Sequence, residues 1–190
     1  MLEGMPLPVL PPVADLDAYV VREDCAHYRG DRPCVPHKLR GKRCSCDEFV
    51  PRGRRVLIIK LGALGDVIRT TPLLRALKAE PVPAEVHWLS AHPDILPACV
   101  DYRYRVEPAS LLALQADHFD AVYSLDKDRE AAAIGATVSA DARFGFGYER
   151  GRLVTYSVAA RHKLLTGLDD GLNRQNTRSY PQEIFDICGL

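Results

Sequence analysis

Val56, Leu57, Ile58 and Ile59 form an unbroken apolar run without the alternation of a half-exposed strand, and so predict a strand covered on both faces. Gly62, Gly65 and Asp66 then turn the chain. Val67, Thr70, Leu74 and Leu77 follow at helical spacing, with Arg69, Arg75 and Lys78 on other faces. Pro72 interrupts this pattern: either Thr71 caps a helix that begins at Pro72, or one helix runs from Asp66 and kinks. Further on, Val86 to Leu89 predicts a second strand, Pro93 to Cys99 a short helix, and Tyr104 to Val106 a third strand. Ser110 to Ala116 reads as a helix and Ala121 to Leu125 as a fourth strand; Asp128 stands where it would cap a helix from Arg129 to Val138. Two more helices are expected, Arg161 to Leu165 and Tyr180 to Cys188. Strands alternating with helices predict an α/β fold, a Rossmann-like parallel sheet with helices on both faces.

Charge divides the chain where hydropathy does not. The 190 residues carry 25 Lys+Arg and 25 Asp+Glu, but residues 1–20 hold only acids and four prolines, and residues 21–55 hold ten basic against five acidic side chains together with four of the six cysteines. Three regions are expected: an extended Pro-rich arm over 1–20, a basic, irregular Cys-rich segment over 21–53, and a globular domain over 54–190. The length accommodates one full domain and an appendage. The overall balance excludes a bulk nucleic-acid binder, and no apolar run approaches the roughly 20 residues of a membrane helix. Glu3 and four early prolines do not make a secretory signal, so a cytoplasmic protein with reduced thiols is expected.

In a parallel sheet the loops after the strands face the ligand crevice. The first such loop runs Lys60, Leu61, Gly62, Ala63, Leu64, Gly65, Asp66. Its glycines are expected to permit a tight fold and close approach of a ligand to the backbone. It matches neither G-x-x-x-x-G-K-S/T nor G-x-G-x-x-G, and Ser90 stands where a dinucleotide binder needs an acid. Asp66 has two readings, a helix N-cap or a general base at the mouth of the crevice. Asp126 and Lys127 follow the fourth strand and so fall on the crevice side, where they and Lys60 are candidate substrate contacts or solvated loop residues. Arg143 is expected to pair with an acid inside the fold.

Arg55 to Leu77 (RVLIIKLGALGDVIRTTPLLRAL) resembles the opening of the glycosyltransferase family 9 proteins, the ADP-heptose:lipopolysaccharide heptosyltransferases. Phe119 to Asp128 (FDAVYSLDKD) and Arg143 to Gly147 (RFGFG) are similar to later strands of the same domain. The resemblance implies the N-terminal, acceptor-side half of a two-domain GT-B fold. It further implies that Asp66 is the general base deprotonating an acceptor hydroxyl, with Gly62, Ala63 and Gly65 shaping the acceptor end of the cleft. No catalytic metal is implied, and the donor would be a nucleotide sugar such as ADP-heptose, the acceptor a lipopolysaccharide-like glycan or glycolipid. Gly62 and Ala63 replace the serine pair that many members carry there. As nothing in these 190 residues supplies the donor-binding half, the chain is expected to be a fragment, a truncated gene product or one partner of a split enzyme with a separately encoded donor-binding domain, and to be inactive without that half. A non-catalytic binding module of the same fold, or a metal- or redox-sensing protein, are the competing classes.

Cys25, Cys34, Cys44 and Cys46 lie within twenty-two residues, interleaved with His27 and His37. Four soft ligands can surround a tetrahedral ion, so a structural zinc is expected ahead of an iron–sulfur cluster, with free or redox-active thiols as the alternative. The basic charge there also suits peripheral contact with anionic lipid at the inner membrane. Cys99 and Cys188 are expected to be small core residues.

Overall fold

The structure is a computed structural model that describes residues 20–190. The expected Pro-rich arm thus lies outside the described residues, Val20 apart. The chain divides after Pro51 into two compact units.

Described residues of the first unit are mostly irregular. One helix among them, α1 (Val35–Arg40), follows Cys34, carries Pro36 in its first turn, and ends at Gly41 with φ 64°, the left-handed conformation that closes helices. A bridge between Cys25 and Pro51, with Ala26 N donating to Val50 O at 2.8 Å, ties the ends of the segment together.

The second unit, Arg52–Leu190, is built on six strands: β1 (Arg55–Ile59), β2 (Glu85–Ser90), β3 (Tyr102–Arg105), β4 (His118–Ser124), β5 (Ser139–Glu149) and β6 (Arg152–Thr155). Their order is β3-β2-β1-β4-β5-β6, parallel throughout except for the β5–β6 hairpin. The helices are α2 (Leu64–Thr70), α3 (Leu73–Lys78), α4 (Pro108–Ala116), α5 (Arg129–Thr137), α6 (Val158–Thr166), α7 (Asp170–Gln175) and α8 (Tyr180–Cys188).

The run at β1 works as a two-faced strand because successive side chains point to opposite faces. Val56 and Ile58 pack with Val67, Leu74, Leu77, Ala160, Ile184 and Ile187 from α2, α3, α6 and α8. Leu57 and Ile59 pack with Leu114 and Ala131 from α4 and α5. The expected fold class, a Rossmann-like sheet with helices on both faces, is therefore present. Among the described residues no helix is long and apolar enough to cross a membrane.

Several local expectations change. The helical stretch after the turn begins at Leu64, two residues before Asp66, and breaks at Thr71 and Pro72 into α2 and α3. Pro93 to Cys99 holds only a 3-10 turn, Pro93–Ile95, which leaves Cys99 exposed, whereas Cys188 is buried as expected. Among the described residues Arg143 pairs with no acid; its guanidinium donates to the carbonyls of Val138 and Ala140. Asp128 occupies the N-cap position of α5 but its side chain makes no capping bond.

Candidate functional site

From β1 the chain crosses over to β2 and β3 on one side, then returns to β4 and β5 on the other. The order reverses between β1 and β4, and in open α/β sheets the crevice outside the strand ends at that reversal takes the ligand. Register brings the two strands together there, Ile59 lying beside Ser124, with Leu125 N donating to Ile59 O at 2.9 Å. The loop after β1 and the residues after β4 therefore share one place in the fold.

Beneath that place lies a buried ion pair. The side chains of Lys60 and Asp126 are only 4% and 6% exposed and bond directly to each other. The second carboxylate oxygen of Asp126 accepts the backbone N–H groups of Leu61 at 2.5 Å and Gly62 at 3.1 Å. A charge this deeply buried must be paired and hydrogen-bonded, and here the pairing also fixes the first residues of the loop. Burial alone would push the Lys60 ammonium down, but the attraction of Asp126 and the hydrogen bond to it prevail and hold it above its ordinary value. In sequence Lys60 and Asp126 are candidate substrate contacts or solvated loop residues. The structure places them under the loop, out of reach of solvent, as its foundation.

Asp66 stands above them as the third residue of α2, after Ala63, Leu64 and Gly65. The N-cap is Ala63 and no side chain caps this helix, so the capping role for Asp66 is set aside. Its half-buried carboxylate instead meets cations: Arg69 one turn on, and Lys60 Nζ at 3.8 Å. Arg69 in turn lies over the ring of Tyr180, 4.3 Å from its centroid. Tyr180 opens α8 and sits between Lys60, Thr70 and Asp66; burial raises its hydroxyl pKa against the opposing pull of Lys60.

The glycines serve differently from expectation. Neither Gly62 nor Gly65 has a positive φ, so the backbone here does not require glycine. A Cβ at Gly62 would stand 3.8 Å from the Asp128 carboxylate, an ordinary contact, and one at Gly65 would meet open space. Ala63, Leu64 and Gly65 are exposed. What the small residues provide is bare backbone on the crevice side. Lys127 is exposed at the same end, its ammonium lying across Gly167; burial and the nearby Lys163 hold its pKa below the ordinary value.

The structure thus gathers Lys60, Gly62, Ala63, Gly65, Asp66, Asp126 and Lys127 at one strand end. It adds Arg69, Asp128 and Tyr180, which the sequence pattern does not assign to the site. Arg69 is legible there only as a polar position on a helix and Asp128 only as a cap. No local signal marks Tyr180, which reaches the site through packing of a helix more than a hundred residues along the chain. The four N-terminal cysteines belong to the other unit. Among the described residues, no group of three or more His, Cys, Asp or Glu side chains is placed to hold a metal.

Fold and crevice define the class: a Rossmann-like α/β domain with a ligand crevice at its strand-order reversal. Solved structures similar to the chain include a glycosyl transferase family 9 protein from Veillonella parvula DSM 2008, at 17% identity and a TM-score of 0.51, over 74% of this chain and 42% of that one. Heptosyltransferase WaaC of E. coli, solved with ADP, is similar at 23% identity and a TM-score of 0.40, over 48% of this chain and 34% of that one. The chain thus spans well under half the length of either neighbour, and the likeness to the Veillonella protein is one of fold. No protein-family profile and no curated protein matches the chain.

Proposed function

We propose that Arg52–Leu190 is the acceptor-side half of a heptosyltransferase-type glycosyltransferase. In this reading a sugar passes from a nucleotide-sugar donor such as ADP-heptose to a lipopolysaccharide-like glycan. The supporting observation is the position of Asp66: a partly exposed carboxylate, free of capping duty, at the strand-order reversal and beside a loop of small residues. The family resemblance supplies the sugar-transfer chemistry.

Asp66 would accept the proton of an acceptor hydroxyl while that oxygen attacks the anomeric carbon and the nucleoside diphosphate leaves from the opposite face, inverting the centre. Geometry comes first for a general base, and a base must lie within hydrogen-bond reach of the proton it takes. Approach of the acceptor is along Gly62, Ala63 and Gly65, where side chains are small or absent, with the exposed Leu64 between them. Lys60 and Asp126 keep the loop in place, and Lys127 offers a cation to polar groups of the substrate. The donor is held by the facing half of such a cleft, and transfer requires both halves to orient their substrates. Basic residues between 21 and 55 suit contact with the anionic membrane surface on which a glycolipid acceptor is presented.

Titrating the isotopically labelled chain with a heptose-free lipopolysaccharide core oligosaccharide tests the acceptor assignment. Saturable shifts of the backbone amides of residues 61–66 are expected. Absence of shifts there, or shifts only elsewhere, would contradict it.

A further inference from the structure

Among its described residues, the first unit has no apolar core. Between residues 20 and 51 only Pro36 is buried. The half-buried, inward positions include Cys25, Cys34, Cys44 and Cys46 with His27 and His37, whereas Ser45, between two of these cysteines, is exposed. All four thiols are free, so no disulfide ties the unit together. A segment this short cannot be stabilised by hydrophobic burial alone and needs a staple.

These same six side chains line one cavity of about 240 Å³, with Arg22 and Arg43 also on its wall. Val21, Tyr28, Pro36 and Phe49 share its wall with Arg29 and Arg32, and among them stands a group of thiols and imidazoles. That group matches the donor set of a soft, tetrahedral ion. Seven basic and five acidic side chains lie between 21 and 51, and a divalent ion with four thiolates carries two negative charges. The excess of two cations offsets that charge.

We propose that Cys25, Cys34, Cys44 and Cys46 bind one zinc ion that acts as the core of this unit, independently of the sugar-transfer site. Each thiol gives its proton to solvent as its sulfur takes the metal. The four sulfurs do not converge on a single point as they stand, so the shell closes into the cavity as the ion binds. Four thiols already complete a tetrahedral shell, and His37, whose Nε2 stays open as a donor, is separated from them by its own variant. Its Nδ1 is 2.8 Å from the Lys42 carbonyl, and since a carbonyl only accepts, Nδ1 carries the proton and the ring is held to the end of α1.

The test uses the full chain, purified without chelator or polyhistidine tag under reducing conditions. Elemental analysis is expected to find about one zinc per chain, the ratio of a single four-ligand site. Cobalt(II) in its place should give the absorption of tetrahedral thiolate coordination, a readout that needs no variant. Cys34→Ser and Cys44→Ser should each lose the zinc, while His37→Gln retains it. Chelation should speed tryptic cleavage after Arg29, Lys38 and Arg40 at least about tenfold, as expected where metal affinity is folding energy, and leave residues 52–190 intact. Substoichiometric zinc, disulfide-paired cysteines, or iron with acid-labile sulfide would overturn the assignment. Loss of zinc from His37→Gln would overturn the all-thiolate shell.

Discussion

Glycine is usually explained by conformational need, and at Gly145 that explanation holds. Its φ is +88°, and a Cβ there would stand 1.9 Å from the Ser124 carbonyl oxygen, so β5 can lie beside β4 only without a side chain. Gly65 meets neither condition. It is exposed in the first turn of α2, and an added methyl group would find nothing within 4 Å; alanine is also the better helix former by up to about 1 kcal/mol. Gly65→Ala should therefore leave stability unchanged or raise it, as read by urea denaturation. If acceptor passes over this backbone, the same substitution should lower kcat/KM for transfer several-fold in an assay with a donor-binding half. Unimpaired transfer would remove Gly65 from the acceptor path. Asp66, bonded to Arg69 and flanked by Lys60, combines exposure and charge in a way that neither loop glycine does.

At the level of elements, the pattern of apolar positions locates most strands and helices because both faces of the sheet are covered. Its failures have physical causes. The apolar Val106 draws the expected third strand to Tyr104 to Val106, yet Val106 is exposed. The paired strand is Tyr102–Arg105, whose Tyr102 and Tyr104 stack on the buried His87 at 4.4 and 5.8 Å. The β5–β6 hairpin leaves no clear pattern: Ser139–Glu149 mixes glycine and polar residues and buries only Gly145, Phe146 and Gly147. The candidate site is legible where it lies on one loop and invisible where it depends on tertiary packing, as at Tyr180. Burial of Lys60 and Asp126 is equally hidden, since both look like solvated loop residues in sequence. That pair joins the end of β1 to the end of β4. Lys60→Met would strand the Asp126 carboxylate in a buried site, and breaking such a pair costs about 3–5 kcal/mol. A loss of that size in denaturant unfolding is expected, with much less than about 1 kcal/mol counting against a structural role for the pair.

For the molecule as a whole, the acid limb of stability should be set at the opposite, amino-terminal edge of the sheet. Glu85 opens β2 and is nearly buried beside Arg52, Arg55 and His87. Burial raises its pKa, but the hydrogen bond from His87 and the two arginines outweigh it and hold it below the ordinary 4.5. A carboxylate with a lowered folded-state pKa contributes stability that is full above its unfolded value and lost as pH falls through the folded one. The wild-type chain should therefore lose stability as pH drops below about 4.5, and Glu85→Gln should flatten that loss while lowering stability at neutral pH. Equal acid sensitivity in both proteins would contradict this assignment. At the other edge of the sheet, buried charge serves the loop that carries Asp66, and the sugar-transfer account rests on that carboxylate. The most direct measurement is transfer from a nucleotide sugar to a core glycan by the chain joined to a donor-binding half, comparing wild type with Asp66→Asn. The account predicts a folded variant with transfer reduced by about 10²–10⁴, the contribution of a general base; a variant that turns over like wild type would contradict it.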